Sequence, residues 1–152
     1  MRKLTCALPL LLTVGMLLAA TPFNGRWKMN HQKSRYTRGD MPREEIWVIT
    51  DQGDHLRIAV NGADNNGAPI AISYIVPMSG GAGQMQQGGS YDGVTMTRVN
   101  DRTRDVSYTK NGQELVTEHM LVSTDGKTML VNIKGVDSSG QPVDGVLVLD
   151  QE

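Results

Sequence analysis

One cysteine, one phenylalanine and three histidines are all that this chain of 152 residues carries of those types. Each scarcity removes a class of chemistry. The single thiol, Cys6, stands at the front of an N-terminal apolar run, the wrong place for a lipid-bearing cysteine. Loss of that run leaves no thiol, hence no disulfide, no thiol nucleophile and no cysteine metal cage. His31, His55 and His119 are too far apart for any two to share metal-ligand spacing, so no metal is expected. No serine sits in a G-x-S-x-G frame. Ser79-Gly80-Gly81-Ala82-Gly83 has no Lys-Ser/Thr after it and no helix for a phosphate to cap. Asp64-Asn65-Asn66-Gly67 lacks the alternating oxygens and distant Glu of a calcium loop, and reads as a hairpin turn. Glu44 and Glu45 are adjacent, so on a strand they face opposite ways and cannot share a proton. No stretch holds a helical period. No cofactor is expected, and an enzyme is the least supported class.

What is present begins with a leader. Arg2 and Lys3 precede an apolar run over residues 4–18, closed by Ala19-Ala20-Thr21-Pro22. A basic start, a short apolar core and small residues at its end are the pattern of a secretory signal. The run is about 15 residues, against the roughly 20 of a membrane span. Residues 1–20 are therefore read as a signal peptide cut after Ala20, with Ala19 the alternative. The expected location is the periplasm or outside the cell, with no stable membrane anchor.

Without Arg2 and Lys3 the chain carries 13 basic and 16 acidic side chains. A nucleic-acid binder is expected to be net basic, so nucleic acid is excluded as a partner. The excess of base lies early: residues 21–43 hold six basic side chains against Asp40. That stretch either pairs with the acidic remainder or forms the rim of an anion site.

Alternation of period two dominates the rest. In Phe23-Asn24-Gly25-Arg26-Trp27-Lys28-Met29-Asn30 the basic residues face one way, and Trp27 and Met29 the other. Gly25 is read as easing the chain past the indole. Further strands are expected over 46–49, 56–60, 70–76, 94–99, 106–110, 115–122, 129–133 and 143–149, parted by turns rich in Gly, Asp and Asn. Residues 31–39 read as a polar connection. Residues 78–93 are glycine-rich and aperiodic, and read as a mobile link.

One pattern occurs twice. Gly62-Ala63-Asp64-Asn65-Asn66-Gly67-Ala68-Pro69 and Gly135-Val136-Asp137-Ser138-Ser139-Gly140-Gln141-Pro142 both spell G-x-D-x-x-G-x-P, 73 positions apart. Upstream the same offset places Trp47, Val48 and Ile49 on Met120, Leu121 and Val122. Two duplicated halves, about 22–77 and 94–152, would close into a barrel without free edges. The expected fold is all-β: an antiparallel up-and-down β-barrel of eight or nine strands in a single domain.

Phe23-Asn24-Gly25-Arg26-Trp27-Lys28 resembles the first strand of the lipocalin and fatty-acid-binding (calycin) superfamily, which also opens on G-x-W. Lys33-Ser34-Arg35-Tyr36 and Asp125-Gly126-Lys127-Thr128 resemble small secreted bacterial proteins of the lipocalin-like kind. These resemblances imply a barrel and no particular activity. Residues 146–152 hold no arginine of the sort that lipocalins pack over the tryptophan.

The barrel interior carries the functional reading. Trp27 is expected to plug one end, and Trp47, Tyr74 and Tyr91 to supply aromatic surface with polar tips. Met78 and Met96 are adaptable lining or gap-filling core. His119, within an apolar strand, is expected in the core or lumen. These seven residues are the candidate ligand contacts. The ligand expected is a small apolar or amphipathic molecule. Two other readings stand beside it: an interaction or inhibitor module whose barrel is filled with side chains, and a hydrolase or isomerase with a site at the mouth.

Overall fold

A computed structural model describes residues 19–137 and 139–152; the expected leader lies outside them, apart from Ala19 and Ala20. The chain is all-β, and among the described residues there is no helix. Twelve strands form one antiparallel sheet, in place of the eight or nine expected. They are β1 (Gly25–Met29), β2 (Arg35–Arg38), β3 (Glu44–Asp51), β4 (His55–Ala63), β5 (Pro69–Pro77), β6 (Gly80–Ala82), β7 (Gln84–Gln87), β8 (Gly93–Asn100), β9 (Thr103–Lys110), β10 (Gln113–Val122), β11 (Thr128–Val136) and β12 (Pro142–Gln151).

The strands missed by alternation are β2, β6 and β7. Each has only three or four residues, too few to show a period of two, and β6 is mostly glycine. β2 follows β1 along the edge of β12, pairing Tyr36 with Gly145. The turn between them is pinned by Ser34, whose hydroxyl donates to Asn30 O (2.8 Å) and accepts from Val148 N (3.0 Å).

The strand order is β6-β8-β9-β10-β11-β12-β1-β3-β4-β5-β7. Its two ends, β6 and β7, are neighbours in the chain, parted only by Gly83. β6 pairs with β8 and β7 with β5, so residues 80–87 join both edges and nearly close the barrel. The stretch expected as a mobile link is thus the closing strand. Gly83 marks the changeover. Its N–H donates to Val94 O at 2.9 Å, and a Cβ there would lie 2.5 Å from Val76 Cγ1 and 2.7 Å from Ile75 O.

The repeat is visible in the strands. β11 and β12 begin 73 positions after β4 and β5. Asp64 Oδ1 accepts from Asn66 N and Ala68 N, and Asp137 Oδ1 accepts from Ser139 N and Gln141 N, all at 2.8–2.9 Å. Upstream the register differs from the ungapped expectation. Ile49 lies opposite Ile58, and Met120 opposite Val131, so β10 follows β3 at 71 positions. The longer turn before β11 absorbs the two residues, and a shift of two leaves facing unchanged. The counterpart of Trp47 is therefore Glu118.

Inward positions fill the core: Leu56, Ile58 and Val60 on β4, Met129, Val131 and Ile133 on β11, and Leu147 and Leu149 on β12. Trp27 is wholly buried, and its indole N–H donates to Phe23 O at 2.8 Å. Gly25 is needed for a different reason from the one expected. Its φ is +143°, and the obstacle to a Cβ is the Gln151 side chain at 2.8 Å.

Gly83→Ala should force the two edges apart and cost about 2–3 kcal/mol, the range of an overpacked core site. Gly53→Ala, with φ +88° and open space around it, should cost about 1 kcal/mol. Urea unfolding followed by tryptophan fluorescence measures both; equal losses would remove the closing role from Gly83.

Candidate functional site

The two ends of the barrel differ in kind. At the base, Phe23 lies beneath Trp27 and is 1% exposed. Arg104 of β9, also 1% exposed, has its guanidinium carbon 5.4 Å from the Phe23 ring centroid. An arginine does pack at an aromatic of the first segment, supplied by β9 instead of the last strand. It donates to Asn100 O at 2.6 Å and approaches Met78 Sδ at 3.9 Å. Its Nε has no hydrogen-bond partner among the described residues. Burial and the Arg98 charge lower its pKa, while Asp101 acts the other way. A recess of about 690 Å³ opens here, lined by Thr21, Asn24, Asp51, Met78, Arg98 and Arg104 among others. Its charges are mostly spoken for. Arg98 pairs with Asp101, and Asp51 accepts from Thr21 N at 2.9 Å.

Towards the other end the inner wall becomes accessible. On β5, Val76 and Tyr74 are fully buried, whereas Ile72 and Ile70 in the same inward register are only half-buried. On β12, Leu149 and Leu147 are buried and Val143 is half-buried. Tyr36, Met41, Met85, Tyr91 and Leu115 are half-buried against the core around the same end. An inward face that grows wetter along the axis is a mouth lined with apolar side chains.

Below this rim lies a polar cluster built from separate strands. β3 brings Glu45 and Trp47 inward, β5 Tyr74, β9 Tyr108 and β10 Glu118; Tyr36 and Tyr91 lie above them. Tyr74 and Tyr108 share a hydroxyl–hydroxyl bond of 2.9 Å, and the Tyr108 hydroxyl donates to Glu118 Oε2 at 3.0 Å. Trp47 Nε1–H donates to Glu45 Oε2 at 2.8 Å. Tyr108 meets Tyr74 edge-on at 5.7 Å and Tyr91 at a tilt of 31° and 5.0 Å. All four tyrosines of the chain belong to this group.

Its electrostatics follow from burial. Glu45 is 8% exposed, and desolvation pushes its carboxyl up to about 7 against the pull of the Trp47 hydrogen bond. Glu118 is 9% exposed; desolvation and then the Glu45 charge push it up to about 8. Tyr91 rises to about 12 through burial and the charges of Glu118, Asp137 and Glu45. Tyr36, Tyr74 and Tyr108 are raised as well, burial first in each.

Of the residues singled out from sequence, Trp47, Tyr74 and Tyr91 meet in this cluster. Trp27 lies in the base, Met78 beside Arg104, and Met96 in the core at 2% exposure. His119 lies on the outer face, not in the core or lumen. It is half-exposed, with Nδ1 2.5 Å from Asp105 Oδ1, because the inward positions of β10 are the even ones. It borders an outer groove of about 630 Å³ with Thr95, Asp105, Glu114 and Lys134. Glu45, Glu118, Tyr36 and Tyr108 were missed, and a signal for the acids existed. Glu118 falls in register with Val116, Met120 and Val122, and Glu45 with Trp47 and Ile49.

No family model matches the chain, and no curated protein matches it. Among solved structures it is similar to a redesigned β-barrel, mFAP1, bound to DFHBI. The likeness has a TM-score of 0.43 and 14% identity, over 86% of this chain and 95% of that one.

Both acid groups hold protons in the folded protein that the unfolded chain, near the ordinary 4.5, has released. Their contribution to stability is full below about pH 4.5 and is lost as pH rises, through both groups to about 7 and through Glu118 alone to about 8. Each contributes a slope of about 1.4 kcal/mol per pH unit inside its window. Glu118→Gln should roughly halve the fall in urea stability between pH 5 and 7; an unchanged slope would place the proton elsewhere.

Proposed function

We propose that this barrel binds a small amphipathic molecule through the mouth ringed by Tyr36, Met41, Ile70, Ile72, Tyr91 and Val143. One observation carries the reading: along β5 and β12, inward side chains pass from fully buried to only partly buried as they approach that end. A wall of half-buried apolar groups over a polar floor suits a ligand with an apolar body and a polar head. The floor offers tyrosine hydroxyls and two carboxyls, which fix orientation. With residues 1–20 read as a leader, the protein would do this in the periplasm or outside the cell.

A second reading has its own observation. Leu121 and Leu130 are 38% and 36% exposed and face each other across β10 and β11. That outer apolar stripe would suit a protein partner, with the barrel merely filled.

Native mass spectrometry of protein purified from its own host separates the two. A retained small molecule, lost in Ile72→Arg but kept in Leu130→Arg, is the expected result. Affinity of the Ile72→Arg form should fall at least tenfold, as a charge replaces an apolar contact at the rim. No retained molecule, with a protein partner lost in Leu130→Arg, would reverse the assignment.

A further inference from the structure

The floor of the mouth holds two carboxyls and no base. Glu45 and Glu118 are each more than nine-tenths buried, and each has one oxygen engaged, Oε2, by Trp47 and Tyr108 respectively. Among the described residues the second oxygen of each, Oε1, accepts no hydrogen bond. No lysine, arginine or histidine contributes to the charge that either carboxyl feels; what they feel is burial, aromatic donors and, for Glu118, the other acid. The remaining titratable groups acting on the cluster are Tyr36, Tyr74, Tyr91, Tyr108 and, at Tyr91, Asp137. Every one of them is neutral or negative.

We propose that the molecule taken at this mouth is an organic cation, an ammonium group on an apolar body, with its head between Glu45 and Glu118 and its body against the tyrosine and isoleucine walls. This rests on the reading of the mouth as a small-molecule site. The chemistry converges from three sides. Two buried acids without a counter-ion lack the partner that would stabilise their charged forms. The free Oε1 atoms are acceptors suited to N⁺–H donors. Tyrosine rings present negative faces to a cation, and Tyr36 and Tyr91 lie half-buried above the floor. An anion would find no positive charge to pair with. A neutral alcohol could use the hydroxyls but would leave the acids uncompensated.

Cation binding must also expel protons. The raised acids are partly protonated near neutrality, and an ammonium favours their ionised forms, so complex formation releases hydrogen ions in the pH range between the free and bound titrations.

The test uses three probes of equal length on the intact protein at pH 7: octylammonium, octanol and octanoate. Binding is read by calorimetry and by tryptophan fluorescence, since Trp47 reports directly on Glu45. The expected result is octylammonium at least tenfold tighter than octanol, and octanoate weakest. Proton release should appear as a binding heat that depends on the ionisation enthalpy of the buffer. Glu118→Gln and Glu45→Gln should each erase most of the preference for octylammonium over octanol. If octanol binds and octylammonium is no tighter, the cation inference fails while the mouth reading survives. If none of the three binds, the mouth reading fails with it. Should a glutamine variant not fold, the ranking of the probes on the unaltered protein still decides.

Discussion

The closure of the sheet by residues 80–87 is the constraint on which the rest depends. A sheet whose first and last strands were merely near each other would expose two rows of unpaired N–H and C=O groups. Here one short run serves both edges, changing partner from β8 to β5 at Gly83. With no disulfide among the described residues to hold the ends together, the interior is defined only while that seam stays shut. The pairing of β7 with β5 and of β6 with β8, with Gly83 N donating to Val94 O, is what holds it.

Closure gives the barrel an inside, and the sequence then makes its two ends unlike. At the base, Phe23, Trp27 and Arg104 fill the space with large side chains, and the indole donates to the chain that enters beneath it. At the other end the inward positions are Ile70, Ile72 and Val143, which leave part of their surface to water. A barrel sealed at both ends would be more stable by the apolar area it hides. Here the inward positions are wholly covered at the base and only partly covered at the other end.

Much of the strand plan could be read from the chain because a long strand with one dry face announces itself. β4 and β11 do so over nine residues each, and their turns repeat the same Asp and Gly. Short strands such as β6 do not, since three residues carry no period and glycine no facing; these took the count from nine to twelve. The duplicated register was legible from β4 and β11 onward. It slipped upstream, because a turn can gain two residues without changing which side chains face inward. The site was harder. Trp47, Tyr74 and Tyr91 could be chosen as aromatics, yet what gathers them is the pair Glu45 and Glu118. Acids are normally assigned to the surface, and only their strict inward register argues otherwise.

That pair is also the place where stability and purpose part company. A buried carboxyl with a single hydrogen bond is worse for folding than a leucine of similar size, and a second one nearby adds repulsion. A remedy lies close at hand. Arg104 is opposite Met120 on β10, so Glu118 sits only a diagonal step away, within the reach of an arginine side chain. The guanidinium turns instead towards the base, over Phe23 and beside Met78. The interior therefore keeps its guanidinium at the base and its two raised carboxyls towards the other end. An ion pair between Arg104 and Glu118 would have given each a counter-charge inside the barrel. Left apart from any cation, Glu118 keeps its proton up to about pH 8, held there by burial and then by the Glu45 charge.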